Sequence, residues 1–130
     1  MRQITEDAVA AFMAGRAFRR DNTEVEVTKK SVILYLHGSP IARKTGSRVE
    51  VSTAGWKTNT TKERLNGVLS AFDRPMQSNY ARIWQRRGQW HMTAPATGWR
   101  PVEIEADGND WHVVSYGSDL ERLAQVGKAK

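Results

Sequence analysis

The sequence predicts a single α+β domain, an antiparallel β-meander with N-terminal, central and C-terminal helices packed on it. Three observations point there. Leu65, Val68, Leu69 and Phe72 recur at i, i+3, i+4 and i+7, which lays one apolar stripe along a helix. Residues 23–52 divide into short β-branched runs separated by turn residues, the pattern of consecutive antiparallel reversals. Residues 80–93 alternate about Arg87-Gly88, the clearest hairpin in the chain. With 130 residues, 39% hydrophobic and 26% charged, the chain is long enough to bury one core without covalent staples.

Taken in order, residues 5–19 read as a first helix. Thr5 is placed to cap it, Glu6 and Asp7 suit the positive end of its dipole, and Arg16, Arg19 and Arg20 suit the negative end. Gly15 weakens this helix without ending the pattern. Val25 and Val27 alternate with Glu24 and Glu26 as a half-buried strand, and residues 31–36 form an apolar run expected to be a central strand buried on both faces. His37-Gly38-Ser39-Pro40 reads as a turn, residues 41–44 as a return strand, and residues 48–52 as a further strand with Val49 and Val51 inward, completing the 23–52 meander.

Thr60 and Glu63 have the spacing of a capping box for the central helix, residues 60–72, and Pro75 disfavours helical geometry beyond it. In the next hairpin a two-residue turn at Arg87-Gly88 sets Arg86 against Gln89, Gln85 against Trp90, Trp84 against His91 and Ile83 against Met92. Ala81, Ile83, Trp90 and Met92 then share a core face. Tyr80, Arg82, Trp84, Arg86, Gln89 and His91 share the other. Residues 99–104 and 110–115 read as two more strands joined through Asp107-Gly108-Asn109, so that hairpins cover residues 80–115. Ser118 with Glu121 caps a last helix over residues 118–126.

Composition narrows the function. There are no cysteines, which excludes disulfides, thiolate catalysis and zinc fingers and suits a reducing compartment. No apolar run approaches a membrane span, and acidic residues stand where a signal peptide needs an apolar core, so the expected location is cytoplasmic. The net charge of +6 is uneven. Residues 29–100 hold thirteen basic against three acidic side chains, whereas residues 1–28 hold four against five and residues 101–130 three against six. A cationic middle attracts polyanions.

The search for chemistry is mostly negative. His37 lies in a turn, where a structural hydrogen bond is the commoner role. His91 and His112 have no patterned carboxylate to complete a metal site. No nucleophile elbow and no phosphate-cradling glycine loop occurs. The expectation is therefore a protein without catalysis, metal or cofactor. The candidate binding set is basic and aromatic: Lys57, Lys62, Arg64, Tyr80, Arg82, Trp84, Arg86 and Arg87. Arg43, Lys44 and Arg48 extend it if the meander edge lies on the same side. Alternating rings and cations offer stacking surfaces between phosphate-binding charges. The alternative is that a helix covers Trp84 and the arginines only rim it. Trp56, Trp90 and Trp111 are assigned to the core.

The strings LYLHGSPIA at residues 34–42, AGW at 54–56 and TTKERLN at 60–66, with Gln89-Trp90 later, carry a resemblance. They resemble a group of short accessory proteins of tailed bacteriophages, over residues 25 to about 92. The resemblance implies a phage or prophage source and action inside an infected bacterium. It transfers no catalytic residue. Two functions follow for such a protein. One is binding of nucleic acid or a nucleoprotein through the basic, aromatic face. The other is inhibition of a host factor, such as a defence nuclease or polymerase, with exposed Trp and Arg as anchors. The positive charge disfavours simple mimicry of DNA.

Overall fold

The computed structural model describes residues 2–105 and 110–117. Helix α1 spans Gln3–Ala14 and starts earlier than the sequence pattern suggests, with Arg2 at its N-cap. Thr5 is not the cap; it lies inside the helix and is buried. Gly15 does end the helix. Its φ of 68° is left-handed, and the Arg16 amide reaches back to the Ala11 carbonyl at 2.8 Å, a closure that glycine permits. Stopping there releases Phe18 and Arg19 from the expected helix, and Phe18–Arg20 form a short strand, β1.

Strands β2 (Thr23–Val27), β3 (Val32–Leu36), β4 (Ser39–Thr45) and β5 (Arg48–Val51) form the expected meander. With β1 and β9 (His112–Ser115) they make a six-stranded antiparallel sheet, ordered β1-β2-β3-β4-β5-β9. Strand β3 is not buried on both faces. Val32, Leu34 and Leu36 point into the core, while Ile33 and Tyr35 are only half-buried. The β3–β4 turn is just His37-Gly38, with φ of 51° and 77°, the two positive values of a type I′ turn. Ser39 and Pro40 thus belong to β4, and the register shifts at Leu34/Tyr35 beside Pro40, which has no amide to donate.

Helix α2 spans Asn59–Ser70 and is capped by Thr58, whose hydroxyl accepts from the Thr61 amide at 3.1 Å. The capping box expected at Thr60 is absent because Glu63 turns to α1 instead. Leu65, Val68 and Leu69 are buried as their spacing requires, and Phe72 is half-buried beyond the helix end. Arg64, expected on the solvent face, is only 1% exposed. Its Nε donates to Thr23 Oγ1 at 3.1 Å and its Nη1 to Thr5 Oγ1 at 2.7 Å, and it is paired with the Glu63 carboxylate. Glu63 also accepts from the Thr5 hydroxyl and the Arg2 amide. One buried guanidinium so joins α1, α2 and β2. Partial burial pushes the Glu63 carboxyl upward, but the hydrogen bonds from Thr5, Arg2 and Arg64 outweigh that and hold it below its ordinary range.

Strands β6 (Arg82–Arg86), β7 (Gln89–Thr93) and β8 (Val102–Ile104) form a second antiparallel sheet. The β6–β7 register is the one read from the sequence, pairing Ile83 with Met92, Trp84 with His91, Gln85 with Trp90 and Arg86 with Gln89. Asn66 of α2 closes the free edge of β6: its side chain accepts from the Ile83 amide at 2.7 Å and donates to the Ile83 carbonyl at 3.0 Å. Ile83, Trp90, Met92 and Ile104 join Phe12, Leu34, Ile41, Leu65 and Leu69 in one core.

The last two strands do not pair with each other as expected. β8 adds to β7, and β9 adds to β5 in the other sheet. Glu105 separates them. With φ of 60° and its carboxylate buried, it accepts from the Thr53 amide at 2.9 Å, while Lys57 Nζ donates to its carbonyl at 2.9 Å. After β9 the chain passes the Gly46-Ser47 turn at Gly117, where an added Cβ would sit 2.2 Å from Ser47 Oγ. The turn expected at residues 107–109 and the helix at 118–126 lie outside the described residues. No described helix is long and apolar enough to cross a membrane.

Replacing Leu65 or Leu69 with alanine should cost roughly 2–5 kcal/mol in urea unfolding. Arg64→Ala should cost about 3–5 kcal/mol, because it empties a buried site and strands its partners. Glu63, with its depressed folded-state pKa, contributes stability above the unfolded value of about 4.3 and loses it as pH falls through the folded one. The Glu63→Gln variant should accordingly show a flatter decline of unfolding free energy on acidification than the wild type.

Candidate nucleic-acid interface

The period of β6 sends Arg82, Trp84 and Arg86 to the face opposite the core, where Thr93, His91 and Gln89 of β7 stand across from them. The Trp84 and His91 rings stack with centroids 5.6 Å apart and planes 20° apart, and the Arg82 guanidinium lies 4.9 Å from the Trp84 centroid. Trp84 is half-buried in this row, on the far side of the sheet from the core. His91 Nδ1 is buried and has no hydrogen-bond partner among the described residues. Arg86, Arg87 and Gln89 are exposed at the hairpin tip. On β8 the one charge on this face is acidic, since Glu103 pairs with His91.

Beside the row runs a groove of about 380 Å³ lined by Ser78, Asn79, Tyr80, Arg82, Thr93 and Trp99. Tyr80 is 55% exposed there. Trp99, expected only as part of a strand, also lines this groove. Gly98 and Trp99, with φ of 67° and 63°, turn the chain after the short Pro95–Thr97 helix so that the Trp99 indole lines the groove with Tyr80. The Arg74 guanidinium lies 5.4 Å from its centroid. The turn signal Pro95-Ala96-Thr97-Gly98 was the available clue to that return.

The structure brings Tyr80, Arg82, Trp84, Arg86 and Arg87 together and leaves the other candidates elsewhere. Arg64 is the buried junction and is unavailable to a ligand. Lys62 Nζ lies 5.6 Å from the centroid of Trp90, an inward residue of β7, so the small sheet stands between it and Trp84. Lys57 is exposed but holds the Glu105 carbonyl beyond β8. Nor does the meander extend the patch. Arg43 and Arg48 flank Glu50 at 3.0 and 3.6 Å, with their guanidiniums over Trp111 and Tyr116, and Lys44 donates to the Met13 carbonyl at 2.6 Å. Of the tryptophans assigned to the core, Trp90 is 2% exposed, Trp111 is half-buried, and Trp56 is 63% exposed.

The histidines remain apart. His37 is exposed at its turn, His91 is in the small sheet, and His112 Nε2 lies 3.2 Å from the Glu105 amide and 3.4 Å from its carboxylate. Among the described residues no group of three or more His, Cys, Asp or Glu side chains is placed to hold a metal ion.

The model of a family described as Kyanoviridae Gp96 protein matches residues 1–116. No curated protein and no solved structure matches the chain.

Because Arg82 and Arg86 stand on an outward face, replacing both with alanine should change stability by no more than about 0.5 kcal/mol at each position. A thermal melt checks this, and a large drop would mean that the face is buried against something.

Proposed function

This chain belongs to the Kyanoviridae Gp96 protein family, and from that premise we propose that it binds nucleic acid as an unpaired strand, without catalysis, through the outer face of the small sheet. The observation that carries this reading is the Arg82–Trp84–His91 row, with Arg86 and Arg87 at its end and the Tyr80–Trp99 groove at its side. Flat rings interleaved with fixed cations suit bases and phosphates in alternation. A duplex keeps its bases stacked inside, so rings displayed this way favour single strands. Glu103 next to His91 repels phosphate, which favours a backbone path along β6, where the arginines are.

The second reading, inhibition of a host protein, draws on the apolar surface near the same groove. Met76 is 93% exposed and Tyr80 is 55% exposed, and aromatic and Met side chains of this kind serve as anchors in protein interfaces. The two readings separate in one comparison of electrophoretic shifts with capture from host lysate.

For three phosphate contacts, through Arg82, Arg86 and Arg87, the single-strand salt slope implies affinity falling about twentyfold between roughly 50 and 200 mM salt. Trp84→Ala should weaken binding by about 1–3 kcal/mol, the worth of one stacked base, with the melting temperature nearly unchanged. Absence of any shift with single- or double-stranded DNA or RNA at low salt, together with capture of one host protein, would retire nucleic acid in favour of the second reading.

A further inference from the structure

A second concavity, of about 350 Å³, lies between the His37-Gly38 turn, the bend at residues 53–56 and the first turn of α2. We propose that it receives one unpaired base of the bound strand, an inference that rests on the nucleic-acid reading and adds a site apart from the β6 face.

The walls and the mouth differ in chemistry. Leu36 and Ile41, both buried, supply apolar walls, and Trp56 supplies an aromatic one that is still 63% open to solvent. The Thr58 and Thr61 hydroxyls are engaged with each other at 2.9 Å, and that of Thr53 accepts from the Gly55 amide at 3.2 Å. The Thr60 hydroxyl takes part in no bond within the described structure and stands free for a polar edge. An apolar slot with an indole on one side and a hydroxyl at hand suits a flat ring bearing hydrogen-bonding edges. The volume is at the small end of ligand pockets, enough for one ring and too little for a peptide element.

Charge selects a base over a neutral aromatic ligand. Among the described residues no carboxylate lines the cavity, and the first turn of α2 contains no acidic residue; Lys57 precedes that turn and Lys62 ends it, their charges retained though Lys57 donates to the Glu105 carbonyl and Lys62 lies over Trp90. The surroundings therefore favour a ring that arrives on a polyanion. Trp56, 63% exposed beside an apolar wall, has ring surface available for stacking.

The test is an amide and indole NMR titration of the full chain with a single-stranded oligothymidylate of about ten nucleotides, alongside thymidine monophosphate. The expected result is movement of the Trp56 indole signal and of the amides of residues 53–61 with the oligonucleotide. Trp56→Ala, and Thr60→Phe at the mouth, should each lower affinity about fivefold or more with the Trp84 signals and the melting temperature unchanged. Movement confined to Trp84 and residues 82–86 would overturn the pocket and leave the nucleic-acid reading standing. Unchanged affinity in both variants would overturn it too. Equal movement with the mononucleotide alone would replace a strand's base by a free nucleotide as the occupant. No movement anywhere would remove both readings.

Discussion

The buried guanidinium of Arg64 is the constraint on which the arrangement depends. A cation withdrawn from water must be met by acceptors, and here those come from three separate elements: Thr5 of α1, Thr23 of β2 and the neighbouring Glu63. The side chain can be satisfied only when all three have converged. That convergence sets the rotation and height of α2, and α2 in turn places Asn66 on the edge of β6 and Lys62 over Trp90. The position of the small sheet, and with it the candidate surface, follows from a charge that is itself hidden. Such a buried ion cluster adds little net stability compared with an apolar core of the same volume. Its effect here is on geometry.

What could be read in advance follows the range of the signals. The β6–β7 hairpin was legible down to its register because turn and alternation are both local, and Arg87-Gly88 adopts the two positive φ values that a tight reversal needs. The Leu65 stripe was legible for the same reason. Arg64 was not, since its partners lie about 41 and 59 residues away along the chain, and a helix pattern scores any arginine as outward. The cap of α2 moved from Thr60 to Thr58 because Glu63, the partner a capping box requires, was recruited by Thr5. The separation of β8 from β9 was equally hidden. Two strands across a short turn look like a hairpin until the free edges of β5 and β7 compete for them.

The excess of positive charge in the middle of the sequence does not gather on one face of the fold. In that stretch acidic partners are scarce, and the protein uses aromatic rings as well: Arg43 lies over Trp111, Arg48 over Tyr116, Lys62 over Trp90, Arg74 over Trp99 and Arg82 over Trp84. Most of these pairs tie a cation into the surface of the fold. The Arg43 and Arg48 pairs share Glu50, whereas along β6 and its turn arginines and rings share one outward face without a carboxylate on that strand, so that the pairing there presents the charge.

The small sheet is fastened at both ends, by Asn66 along β6 and by Glu105 beyond β8, where the Thr53 amide and the Lys57 ammonium hold it. A platform secured in this way carries Arg82, Trp84 and His91 packed against one another on one face. For the strand binding proposed above, such a face would sacrifice little internal freedom on association, leaving the partner's own ordering as most of the entropic loss. In that reading the fixed placement of the sheet, more than the number of its charges, is what the architecture contributes.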